Sequence, residues 1–158
     1  MNKFQYLLVC LLIFSSCEDN IEDRIPAFQA HVNGVQFWEA SSFSIITDSN
    51  GTIITGNNLS GTLTMYVPLL EVGANNLGSS EVSVGVFQDT LFYSTMYNGI
   101  ASIAHLSDGE IIIEEFNSEE NTISGTFNFD AYNETGEYNL NISEGVFYRL
   151  PISVESEN

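Results

Sequence analysis

The chain is predicted to be all-β, a single antiparallel β-sandwich or flattened barrel built from hairpins. Two observations predict this. Apolar and polar residues alternate along many short runs, with almost no stretch at helical spacing. Turn-forming dipeptides separate those runs at short intervals.

The first hairpin joins FQAHV to VQFWEA through Asn33-Gly34, a pair suited to the two positive φ values of a type I′ turn. Asn50-Gly51 between SIITDS and TIITG, and Asp108-Gly109 between ASIAHLS and EIIIEEF, follow the same logic. Further breaks are expected at Asn57-Asn58 and Glu134-Thr135-Gly136, with a longer loop from Gly73 to Ser80. Between the breaks, Leu63, Met65 and Val67 alternate with Thr62, Thr64 and Tyr66, and Val82, Val84 and Val86 alternate with Ser83 and Gly85. Phe127, Phe129 and Ala131 share one face, as do Leu140 and Ile142. Roughly ten such strands form a meander that must close or fold over to bury its apolar faces, with the sandwich preferred to the barrel.

The fold is preceded by a different kind of segment. Lys3 stands ahead of an apolar run from Tyr6 to Phe14, the charge-then-apolar order of a secretory signal. The run is well short of the roughly 20 residues a membrane-spanning helix needs. Phe14-Ser15-Ser16-Cys17 resembles the bacterial lipobox, with Phe14 in place of the usual Leu. The resemblance implies that residues 1–16 are removed and that Cys17 carries lipid, several acyl chains giving durable anchoring where one would be marginal. Residues 17–26, rich in Glu and Asp, read as an acidic tether. Acids just after the cysteine also resemble the surface-export signal of Bacteroidota lipoproteins, the alternative being a solvated spacer. Residues 27–152 form the β domain and residues 153–158 a polar tail. The expected location is the outer membrane, lipid-anchored and facing the cell surface.

From Cys17 onward, two basic residues stand against 21 acidic ones, a net charge of −19 with no lysine. Such a field repels phosphate backbones and anionic head groups, so neither nucleic acid nor electrostatic adsorption to a membrane is expected. With Cys10 in the signal and Cys17 lipidated, no cysteine remains for a disulfide, a thiolate metal site or a thiol nucleophile.

Ile123-Ser124-Gly125-Thr126-Phe127-Asn128-Phe129-Asp130-Ala131, followed by Ile142-Ser143-Glu144-Gly145-Val146-Phe147, is similar to the C-terminal motif of a family of uncharacterised Bacteroidota lipoproteins. Phe28-Gln29-Ala30-His31-Val32-Asn33-Gly34 resembles that family's opening. The stretch from about Thr47 to Ala101 matches only in style. The resemblance implies a lipid-anchored β domain and carries no catalytic residues. Gly125 and Gly145 would suit bulges or tight turns, and the Phe residues would fill the core.

A serine hydrolase would need a histidine between nucleophile and acid; only His31 and His105 are present, no G-x-S-x-G elbow occurs, and both read as ordinary surface or edge residues. A glycosidase pair such as Glu114 with Glu137 can be drawn, but so can many others among 21 acids. Glu114-Glu115 and Glu119-Glu120 read as a solvated face. Asp48-Ser49-Asn50-Gly51 begins like a calcium loop but lacks the acids that should follow, so it reads as a turn. Zinc would require His31 and His105 to converge with a carboxylate.

The aromatic residues are the remaining candidates, because a sugar ring stacks its C–H face on an exposed aromatic ring while polar neighbours read its hydroxyls. Trp38, Tyr93, Tyr97 and Tyr132 are placed on outer faces as ligand-binding candidates, the alternative being that they pack into the sheet. Asp89-Thr90-Leu91 resembles a short O-glycosylation acceptor pattern of Bacteroidota, with Thr90 the modified residue. The expected role is a non-enzymatic binding module for a glycan or small ligand, with no cofactor. Its alternatives are a partner subunit of an envelope complex and, third, a hydrolase.

Overall fold

The computed structural model describes residues 27–100 and 105–154. The signal segment, Cys17 and the acidic tether lie outside the described residues. Twelve strands follow one another: β1 Ala27–Val32, β2 Gln36–Glu39, β3 Ser42–Asp48, β4 Gly51–Asn58, β5 Gly61–Val67, β6 Gly73–Gly78, β7 Val84–Gln88, β8 Phe92–Ser94, β9 Asp108–Asn117, β10 Thr122–Tyr132, β11 Asn139–Pro151 and β12 Ser153–Val154. Of the two architectures admitted by the sequence, the structure takes the curled one, an antiparallel sheet forming a half-barrel. Its path runs β12-β3-β4-β5-β7-β8-β10-β11-β1-β2, and β9 with β6 branches from β10. β12 joins β3 in parallel, so Ser153 and Val154 lengthen the sheet where a polar tail was expected.

The curl brings the β2 end of the sheet back against β4 and β5. Ser41 N donates to Asn57 O at 2.8 Å, and Trp38 Nε1 donates to Gly61 O at 3.2 Å. Inside, Phe28 meets Trp38 and Phe127 edge-on at 5.4 and 5.6 Å between ring centres. Each fully buried Phe removes enough apolar surface from water to contribute roughly 1.5–3 kcal/mol. The alternating sets Leu63/Met65/Val67, Phe127/Phe129/Ala131 and Leu140/Ile142 all face this core. Gly125 and Gly145 each lie beside a register shift, and Phe127, Phe129 and Phe147 fill the interior.

The Asn33-Gly34 hairpin forms with φ of 53° and 66°. The next two hairpins fold away from their Asn-containing dipeptides: one has its tip at Ser49-Asn50, one residue before Asn50-Gly51, and the other at Leu59-Ser60, two residues after Asn57-Asn58. Asp48 pairs with Gly51 and Asn58 with Gly61 across two-residue tips. In each, the side-chain oxygen at the first position accepts two backbone N–H groups: Asp48 Oδ1 from Asn50 and Gly51 at 2.7 and 3.1 Å, and Asn58 Oδ1 from Ser60 and Gly61 at 2.7 and 3.0 Å. An Asx residue at the first position and glycine at the fourth is the chemistry of a type I turn.

Three expectations are overturned. Asp108-Gly109 is no hairpin turn: both residues open β9 and pair with β10 and β6. Residues 101–104 of the strand expected before it lie outside the described residues, and His105 to Ser107 form no strand. Gly109 is there because β10 passes too close for a side chain, a Cβ lying 2.5 Å from Phe129 Cα. The loop expected from Gly73 to Ser80 is largely β6. Finally, Val82, Val84 and Val86 point outward, with Val82 67% exposed, while Ser83, Gly85 and Phe87 face the core. The cause is Phe129 of β10, whose ring would lie 2.9 Å from any Cβ at position 85, so only glycine can stand beneath it.

Candidate functional site

Directly opposed residues of an antiparallel pair share a face of the sheet. On the outer face of β3, β4, β5, β7 and β8 this register lines up one row, Ser42–Asn57–Thr62–Gln88–Phe92. A second row beside it is Ser44–Thr55–Thr64–Val86, and a third is Ile46–Ile53–Tyr66–Val84. The only acid in these five strands is Asp48, at the end of β3, where its carboxylate is engaged by its own turn. Those hydrogen bonds, first from the backbone N–H of Asn50 and then from its side-chain amide, hold the Asp48 pKa below 3.8.

The first row carries hydrogen-bonding capacity that the fold does not consume. Thr62 Oγ1 donates to Asn57 Oδ1 at 2.8 Å, which aligns the amide and leaves its N–H₂ group free to donate outward. Gln88, exposed on the same row opposite Thr62, adds a carboxamide beside it. Beyond Gln88 the row ends on Phe92, 46% exposed, whose ring meets the half-buried Tyr97 edge-on at 6.5 Å. Between the β4–β5 and β7–β8 tips, a shallow groove of about 510 Å³ is lined by Asn58, Ser60, Thr62, Gln88, Asp89 and Thr90.

A buried polar knot holds Tyr97 in place. Thr95 Oγ1 accepts from Gly85 N, Ser107 Oγ donates to Thr95 O, and Asn98 Oδ1 accepts from Ser107 N. The segment after β8 is thereby pinned to β7 and to the start of β9.

Of the four aromatic residues placed outward by sequence, the structure exposes Tyr97 only in part and turns the others inward. Trp38 is 0% exposed, and its pyrrole N–H is satisfied by Gly61 O. Tyr93 and Tyr132 are also buried. Burial raises both phenol pKa values, with Asp89 adding to the effect at Tyr93 and Asp130 at Tyr132. Phe92 was missed because only the Gln88 pairing shows that it points out. Thr90 is exposed at the β7–β8 tip, its hydroxyl 3.4 Å from Asp89 Oδ1.

The other constellations do not assemble. His31 Nδ1 lies 3.1 Å from Glu144 Oε2, off the line of a hydrogen bond, with Phe37 edge-on to its ring. His105 sits elsewhere, its carbonyl accepting from Gly99 N. Glu114 projects near Ser124 and Gly125 while Glu137 lies beyond Tyr132, so the two flank opposite ends of β10. A second shallow depression, of about 430 Å³, collects Glu81, Asp108 and Glu110 with Asn76 and Asn128. Among the described residues, no group of three or more His, Cys, Asp or Glu side chains is placed to hold a metal ion.

Neither the curated proteins nor the solved structures contain a match to this chain. Residues 24–151, almost the whole of the sheet just described, match one family, and the chain thus belongs to the family described as Domain of unknown function (DUF6252).

Proposed function

We propose that this protein is an exported lipoprotein of a Bacteroidota-type envelope, anchored through lipid on Cys17 in the outer membrane and facing the cell surface. There its β domain binds glycans without catalysing a reaction. The observation that carries the binding reading is the uncharged row Asn57–Thr62–Gln88 ending on the Phe92–Tyr97 pair. Amides and hydroxyls of this kind read sugar hydroxyls, and an exposed ring accepts the C–H face of a sugar. Tyr97 is the one sequence-nominated aromatic retained as a contact; Trp38, Tyr93 and Tyr132 support the sheet from beneath. The lipobox-like Phe14-Ser15-Ser16-Cys17 and the acids after it support the anchor and its outward orientation. Thr90, exposed at the groove's rim, is the proposed O-glycosylation acceptor; an intact mass from the native host equal to the unmodified chain would exclude this.

The test uses the chain from residue 17 with Cys17→Ser, screened on a broad glycan array. Binding to a defined set of glycans is expected, and a blank array refutes the reading. In cells, Cys17→Ser should release the protein, still folded, from the membrane fraction.

A second reading rests on Met96, Ile100 and Tyr138, large and exposed beyond Tyr97. These suit a subunit of a surface complex, and purification from native membranes would then retrieve one stoichiometric partner.

A further inference from the structure

Resting on the glycan reading of this face, we infer that the ligand is an internal segment of a linear, uncharged polysaccharide. It lies across the strands from Tyr97 towards Ser42.

The direction follows from the register. The polar row crosses five strands at right angles to their axes, and four strand spacings of about 4.8 Å make it ~19 Å long. Hydrogen-bonding side chains recur at each strand up to Phe92, so the recognition element repeats along a line as a polymer does. A shallow groove lined by Thr62 and Gln88 flanks the row on the side of the two hairpin tips. The Phe92 and Tyr97 rings stand at 69° to each other, so they cannot both stack on one sugar ring; one offers its face and the other its edge.

The absence of charge selects the ligand's charge. An acidic sugar would meet Asp89 at the groove rim and the field of a chain of formal charge −18. The only Arg or Lys among the described residues, Arg149, is on β11 and is paired with Glu120. Size argues against a second copy as the occupant. The face covers on the order of 400 Å², against about 800 Å² per partner in a stable protein interface.

The experiment is titration calorimetry on the chain from residue 17 with Cys17→Ser. The ligands are soluble starch, xyloglucan, mixed-linkage β-glucan, mannan and arabinan, with polygalacturonate and heparin as the acidic arm. A neutral polysaccharide should bind. Affinity for its oligosaccharides should rise with length until they span the row and then level off, and borohydride reduction of the chain end should leave it unchanged. Gln88→Ala and Phe92→Ala should each weaken binding at least tenfold, with Thr62→Val as a third probe should either fail to fold. Preference for an acidic polymer, monosaccharide binding as tight as that of the longest oligomer, or loss on end reduction would overturn the inference while leaving a glycan-binding protein. Absence of binding to all of them, together with a blank array, would overturn both.

Discussion

The outer faces of the two halves of the sheet are built on opposite principles. On β9, β10 and β11 the strands carry Asp108, Glu110, Glu114, Glu115, Asp130 and Glu144, together with Arg149. On β3, β4, β5, β7 and β8 they carry Asp48 alone, turned into its own hairpin. Both halves alternate apolar residues inward, so the folding requirement is the same. Nor does strand geometry exclude acids, since β9 accommodates four. A chain with 21 Asp and Glu residues keeps five neighbouring strands nearly free of them. If their outer face is the binding surface we propose, recognition is confined to the strands nearly exempt from acids, and the negative field of the rest of the surface repels polyanions.

Removing the side chain that locks the halves together should have the largest effect. Phe129 of β10 fills the space over Gly85 of β7, and Phe129→Ala should cost about 3–5 kcal/mol, read as a lowered urea midpoint. Gly85→Ala, which forces a methyl into that ring, should cost about 1–3 kcal/mol. Equal stability to wild type in both would mean that the halves are held some other way.

A transplanted charge sharpens the comparison next. Thr55→Glu puts a carboxylate in the middle of the uncharged face, whereas Thr126→Glu puts one on the outer face of β10. Glycan affinity should fall about tenfold, near 1.4 kcal/mol, for the first and stay constant for the second. Similar losses from both would show that overall charge, not the exempt face, governs binding.

The smallest effect concerns Asp48. Its folded pKa lies below 3.8, so its contribution to stability is present above that value and is lost as pH falls through the folded pKa. Asp48→Asn keeps an acceptor for the turn but removes the titration. Wild type should therefore exceed this variant in thermal midpoint at about pH 6, with the gap closing as pH falls through the folded pKa; a gap independent of pH would reject the assignment.

Much of the fold was legible because alternation and turn chemistry are local. Leu63/Met65/Val67 and Phe127/Phe129/Ala131 could be assigned to the core by their spacing, and Asn33-Gly34 folds as its backbone preferences dictate. The failures occur where a distant residue outweighs local preference. Val82, Val84 and Val86 suit an interior better than Ser83 and Gly85, but Phe129 leaves room there only for glycine. Asp108-Gly109 is a good turn dipeptide, yet the close passage of β10 makes it the start of a strand. In the run Gln36-Phe37-Trp38-Glu39, alternation admits either aromatic as the inward one; closure of the curl against β4 and β5 takes Trp38 and leaves Phe37 outside.

By itself, then, the sequence determined the strand-forming character of the chain, its strongly acidic charge and the residue types available to the core, because each follows from composition and from periodicity within a few residues. Only the tertiary structure decided which side of β7 faces inward, which aromatic residues reach solvent, and that Ser42, Asn57, Thr62, Gln88 and Phe92 form one line. Thr62 and Gln88, 26 positions apart, become neighbours there through strand register, and register is settled by the packing of side chains from opposite halves of the sheet.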